Sequence, residues 1–284
     1  MKTILIPFDF SENARKALEY AMQLAKIVES NLYLYHVLHE SPYKLATATN
    51  EQEMEKLIKK DEDEKTRALK EEIYKALLTL KISFPSEKIK AKAEYNPLIV
   101  EKIISVTKEL DADLIVMGTH GASGIKKFLF GSNTSNMIAR SDIPVLAIPQ
   151  HFGYSTVRTI LYASDLENPE AELDRLIPFA RSAHAGIDLL HFDYGPDEIK
   201  KTDEEVAKII KRTGYLDIRF VKQAADVEVP LLKQIRHFME INHPQWLVMF
   251  TRERSMWDKL LLGSKTEDMA NTLKLPLLSF KKTE

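Results

Sequence analysis

The sequence predicts an α/β protein of two tandem domains, each an open, mostly parallel five-stranded sheet with helices on both faces. Three observations carry this. Short β-rich apolar runs alternate with segments of helical periodicity, the rhythm of βαβ units. The runs are continuously apolar rather than alternating, as in strands buried on both faces. The order of elements in the first half returns in the second. A length of 284 residues suits two domains at roughly 150 residues each.

The first strand is Thr3-Ile4-Leu5-Ile6-Pro7-Phe8. Asp9-Phe10-Ser11 turns the chain, and Ser11 is placed to cap the next helix. In that helix Ala14, Ala17, Leu18, Ala21, Leu24, Ala25 and Val28 recur at helical spacing. Residues 32–37 form the second strand. Residues 51–75 hold nine acidic and seven basic side chains, which predicts a long solvated helix outside the sheet. Residues 88–94 form the third strand, and Pro97 opens a helix carrying Ile99, Ile103, Ile104 and Val106. Residues 113–117 form the fourth strand, ending at Gly118. A helix over 132–140 leads to the fifth strand, 143–148.

The second half repeats this order. Residues 159–165 echo 3–9, and Asn168-Pro169 reads as an N-cap followed by proline at the first helical position. Residues 187–192 echo 32–37, with His191 on His36. Residues 244–249 and 275–280 echo the fourth and fifth strands, with Pro276 on Pro144. The pattern is a tandem duplication with domains at 1–150 and 155–284.

Composition narrows the function. Hydrophobic residues make up 44% and charged residues 29%, ordinary values for a globular chain. The formal net charge of −2 supplies no global field for nucleic acid or an anionic membrane, so neither is an expected partner. The absence of cysteine excludes disulfides, zinc–thiolate sites, thiol nucleophiles and iron–sulfur clusters, and fits a reducing compartment. The apolar run after Lys2 stops at Asp9, too short for a secretory signal. No run approaches the roughly 18 apolar residues of a membrane span. A soluble, cytoplasmic protein is expected.

The chemistry concentrates after the fourth strand. Gly118-Thr119-His120-Gly121 is followed, nine residues on, by Gly131-Ser132. Ligands of open α/β sheets bind beyond the carboxyl ends of the strands. Glycines there let backbone N–H groups approach an anion and permit positive φ. A helix beginning near Ser132 adds unpaired, partly positive amides, and Ser132 can cap that helix or offer its hydroxyl to phosphate. The plain alternative is a set of turn glycines. The spacing is neither a Walker A loop nor the dinucleotide G-x-G-x-x-G.

Gly118, Gly121, Gly131 and Ser132 fit G-x2-G-x9-G-(S/T) without a gap. With Ile6-Pro7-Phe8-Asp9-Phe10-Ser11, residues 113–121 and Ile143-Pro144-Val145-Leu146, the chain resembles the universal stress protein family in its tandem two-domain form. The resemblance implies Rossmann-like domains and an adenine-nucleotide site (ATP, AMP or ADP) in the first half. Asp9 would contact the ribose and the backbone around Val37 the adenine. Pro7, Phe8 and Met117 would line the pocket. Gly118, Gly121, Gly131, Ser132 and Asn133 would hold the phosphates, with Thr119 and His120 in the same loop and magnesium accompanying the phosphates. Phe8 and Asn133 depart from the family's usual residues. Lys126 and Lys127 read as a solvated face. No partner carboxylate adjoins His120, so no catalytic residue is assigned. His36 and His39 face opposite sides of a strand, and no metal site is predicted.

In the second half Phe250 and Glu253 stand where Gly118 and Gly121 do, while Gly263-Ser264 and Asp165 persist. Arg252 and Arg254 flank Glu253. One nucleotide site per chain follows. The resemblance implies that the two fifth strands, 145–148 and 277–280, pair as they do across the family's dimer interface, which would make the second half a structural partner in an intramolecular pseudo-dimer, and it adds a further homodimer. The function expected is that of a nucleotide-binding stress-response or regulatory protein with protein partners the sequence does not name. A slow ATPase and a nucleotide-independent interaction scaffold compete. No Walker lysine or metal–carboxylate pair supports an enzyme beyond a weak ATPase.

Overall fold

The computed structural model describes residues 1–39, 50–119, 131–195, 201–251 and 275–282. The first half runs β1 (Thr3–Pro7), α1 (Glu12–Val28), β2 (Asn31–Leu38), α2 (Glu51–Leu80), β3 (Ile89–Tyr95), α3 (Ile99–Glu109), β4 (Leu114–Gly118), α4 (Ser132–Arg140) and β5 (Val145–Ile148). The second runs β6 (Thr159–Ala163), α5 (Pro169–Ala183), β7 (Gly186–Asp193), α6 (Asp203–Thr213), β8 (Ile218–Ala224), α7 (Leu231–Asn242), β9 (Trp246–Thr251) and β10 (Leu277–Lys281).

The two five-stranded sets merge into one ten-stranded sheet of order β3-β2-β1-β4-β5-β10-β9-β6-β7-β8. Every neighbouring pair is parallel except the central one, β5 with β10, which is antiparallel and pairs Leu146 with Leu278. From either outer edge inward the strands follow the same chain order. Strands β1, β4, β5, β6, β9 and β10 are apolar because both faces are covered. Side chains of α1, α2, α5 and α6 bury Leu18, Leu69, Leu173 and Val206 on one face. Side chains of α3, α4 and α7 bury Ile103, Met137 and Ile235 on the other. Each fully buried side chain of this size contributes about 1.5–3 kcal/mol.

The duplication holds at the level of single atoms. His36 Nδ1 lies 2.7 Å from the Phe8 carbonyl, and His191 Nδ1 lies 3.0 Å from that of Ser164. Phe10 and Leu166 both take left-handed backbone, at φ 62° and 57°. Asp9 Oδ1 accepts the Ser11 amide, and Asp165 Oδ1 accepts that of Glu167. The halves are also tied together. Trp246 Nε1 donates to the Tyr20 hydroxyl at 2.6 Å, and Tyr154 of the connecting segment packs edge-on to Tyr20.

Two elements differ from expectation. Helix α2 extends to Leu80 and is not merely solvated: Leu69 and Ile73 are buried, and Arg15 pairs with its Glu72 at 2.7 Å. Thr66 Oγ1 accepts the Ala93 amide at 2.9 Å and Glu62 Oε1 that of Tyr95 at 3.0 Å. The helix therefore occupies amides of edge strand β3, which would otherwise invite another strand. Helix α3 starts at Ile99, not Pro97, because Asn96 Oδ1 accepts the Leu98 amide and makes Asn96-Pro97 a turn.

Candidate functional site

Strand order reverses between β1, whose connection leads to β2, and β4 on its other side. Ligands of open α/β sheets sit beyond the strand ends at such a point. Phe8 and Asp9 follow β1 there, Gly118 and Thr119 end β4, and α4 begins there.

The turn after β1 is rigidly specified. The Phe8 amide donates to Tyr35 O at 2.8 Å, and its carbonyl accepts from His36 Nδ1. A carbonyl only accepts, so Nδ1 carries the proton and the ring's lone pair is on Nε2. Burial pushes the His36 pKa down against the Phe8 hydrogen bond, which keeps the ring neutral. Phe8, Phe10 and His36 form an edge-on cluster with centroids 5.2 and 5.0 Å apart, and Lys65 Nζ lies 5.1 Å above Phe10. Asp9 remains exposed above the buried Phe8. One of its oxygens accepts the Ser11 amide at 3.0 Å, and Ser11 Oγ caps α1 by accepting the Ala14 amide at 3.1 Å.

At the end of β4, Gly118 supplies clearance rather than an unusual φ. A Cβ there would lie 2.8 Å from both Cβ and O of Asn13, so the glycine lets the first turn of α1 rest on β4. The Gly131 amide donates to Thr119 O at 2.7 Å, which sets the start of α4 beside the end of β4. Gly131 is the N-cap of α4 and provides no side chain to its amides, so Ser132 is the first helical residue rather than a cap. Ser132 and Asn133 are exposed, while buried Thr134 Oγ1 donates to Gly118 O at 2.9 Å. The first turn of α4 is thus fixed to the end of β4, with its partly positive amides beside the strand ends.

The structure divides the other predicted residues between the sheet faces. Phe8 packs with the α1 and α2 side; Val37 and Met117 are buried on the α3 and α4 side. Pro7 ends β1 and is half-buried. His120, Gly121, Lys126 and Lys127 lie outside the described residues, as do Arg252, Glu253, Arg254, Gly263 and Ser264. Sequence reasoning missed Asn13, which lies against Gly118, and Thr134, which bonds the Gly118 carbonyl. A threonine three residues past a motif glycine is a readable signal; nothing marks Asn13.

The second half is built differently at this place. Phe250 pairs with Phe280 just as Gly118 pairs with Ile148. The two rings stack at 4.6 Å, with the Arg175 guanidinium 5.7 and 5.3 Å from their centroids. Among the described residues no group of three or more His, Asp or Glu could hold a metal. No described helix is long and apolar enough to cross a membrane.

Fold and site define a tandem Rossmann-like α/β protein with its glycine-bearing strand end in the first half only. The universal stress protein family model matches residues 1–149, and the chain belongs to that family. Universal stress protein MJ0577 of Methanocaldococcus jannaschii is 29% identical over 155 residues, 52% of this chain and 94% of that relative. Universal stress protein YxiE of Bacillus subtilis is 29% identical over 149 residues, 51% of this chain and 97% of its own. A solved universal stress protein from Archaeoglobus fulgidus aligns over 99% of this chain and 98% of its own with a TM-score of 0.67 at 20% identity, a likeness of fold.

Proposed function

We propose that the chain is a cytoplasmic stress-response or regulatory protein that binds one adenine nucleotide, ATP, AMP or ADP, in the domain of residues 1–150. The observation that carries this reading is the meeting of Asp9, Gly118-Thr119 and the uncapped start of α4 at the switch point of a family fold. Asp9 faces the ribose, backbone near Val37 the adenine, and the amides of Ser132 and Asn133 the phosphates, with magnesium arriving on the phosphates. His120 and Gly121 complete the phosphate loop. The domain of residues 155–284 is the structural partner, joined through β5 and β10. Binding shifts the protein's conformational balance toward a partner-competent state.

The decisive experiment is calorimetric titration of the purified chain with ATP, after mass spectrometry of whatever denaturation releases. One equivalent is expected, and no binding at millimolar ATP overturns the reading. Gly118→Glu is a poor control, because its side chain would strike Asn13. Asn133→Asp is better. An acidic residue in the first turn favours the helix but repels phosphate, so ATP affinity should fall at least about ten-fold with the melting temperature unchanged or raised.

A further inference from the structure

The second half's counterpart of this site contains a cation of its own. Lys282 follows β10, and its side chain is only 6% exposed. Its ammonium lies 2.5 Å from Asp165 Oδ2, 3.3 Å from Glu167 Oε2 and 3.5 Å from Glu172 Oε1. Asp165 and Glu167 come from the turn after β6, and Glu172 from the first turns of α5. Behind them the Tyr162 hydroxyl donates to the other Glu172 oxygen, Ser164 Oγ donates to Tyr162, and the Leu166 amide donates to Ser164 Oγ.

These residues differ from the first half as a set. Strand pairing places Lys282 where Gln150 stands and Tyr162 where Ile6 stands. Counting back from the left-handed helix caps at Glu29 and His184, Glu172 replaces Ala17. An ammonium, a phenol and a carboxylate thus stand in the place of an amide and two apolar groups. Burying an ammonium alone is costly, and so is burying Glu172; Lys282 and the Tyr162 hydroxyl offset part, but not all, of the burial that pushes the Glu172 carboxyl up. Only the turn aspartate is common to both halves.

We infer that the second half keeps a binding site whose ligand is a primary alkylammonium ion, supplied by the chain itself as Lys282. The tethered ion holds the three carboxylates, occupies the turn after β6 that corresponds to the Asp9 turn of the first half, and pins the end of β10. Burial alone would lower the Lys282 pKa, but the carboxylates outweigh it and keep the group charged. Arg175 strengthens the same anchor by donating to the Lys281 carbonyl at 2.5 Å. The inference does not depend on the nucleotide reading of the first half.

Chemical rescue tests it. In thermal unfolding of the full chain, Lys282→Ala should melt roughly 5–10 °C below the parent. Methylammonium chloride should restore at least half of that loss, and KCl or tetramethylammonium chloride at equal ionic strength should not. The parent should respond to all three salts alike. A variant melting with the parent, or an amine no better than KCl, overturns the inference. If Lys282→Ala does not fold, NMR of the parent decides. The Lys282 ammonium should exchange protons with water far more slowly than surface lysines and vanish in Lys282→Arg; exchange at the surface rate overturns the inference.

Discussion

At the ends of β1 and β6 the chain makes the same turn twice and uses it in two ways. After β1, Asp9 stands exposed beside a glycine and an uncapped helix. After β6, Asp165 holds Lys282, and two stacked phenylalanines stand where that glycine and Ile148 stand. The framework is indifferent to the change: sheet order, left-handed turn residue and histidine-to-carbonyl contact are the same in both halves. A duplicated fold can therefore convert one opening into internal packing without altering a strand.

The largest contrast should come from exchanging the two strand ends. Phe250→Ala removes a buried, stacked ring and should cost about 3–5 kcal/mol in urea unfolding. Gly118→Ala forces a Cβ against Asn13 and should cost about 1–3 kcal/mol by overpacking. Equal costs would mean that the first turn of α1 gives way freely.

Acid should distinguish the halves next. Burial pushes Glu94 up, but hydrogen bonds from Lys92, Tyr35 and Lys102 outweigh it and hold the carboxyl at about 2 rather than 4.5. Gln223 occupies the same register in the second half. A depressed carboxylate stabilises above its unfolded value and loses that contribution as pH falls from about 4.5 toward 2. Allowing for solvent screening, Glu94→Gln should cost roughly 1–3 kcal/mol at pH 7 and almost nothing near pH 2. A cost independent of pH would assign Glu94 a packing role only.

The smallest contrast lies at the helix starts. Ser11 caps α1 through the Ala14 amide, whereas Asn168 makes no side-chain cap for α5. Ser11→Ala should cost about 1 kcal/mol and Asn168→Ala a few tenths, read from the same unfolding curves.

Much of this was legible in the sequence. Apolar runs, their spacing and the repeated prolines place nine of the ten described strands to within about two residues; β8 (Ile218–Ala224), whose apolar residues are interrupted by Arg219, Lys222 and Gln223, was not read as a strand, and the pairing of β5 with β10 was anticipated from the family resemblance. The docking of α2 was not, because its Thr66 and Glu62 look like two more polar residues in a charged run until β3 is beside them. Left-handed backbone at Phe10 and Leu166 gave no sign either, since neither residue favours it. The Lys282 cluster joins two segments remote in sequence, residues 162–172 and Lys282, and no local pattern announces such a meeting. Gly118 was legible as special, yet its clearance of Asn13 depends on where α1 lands.

The antiparallel pairing of β5 with β10 has a consequence for synthesis. When β5 leaves the ribosome its partner does not yet exist; β6 to β9 must follow before β10 can fill the place. During that interval the first half presents a short, fully apolar strand edge, and another nascent copy offers the same edge. Slow translation across the second half should therefore favour exchange of β10 between chains, producing swapped dimers whose halves each look native.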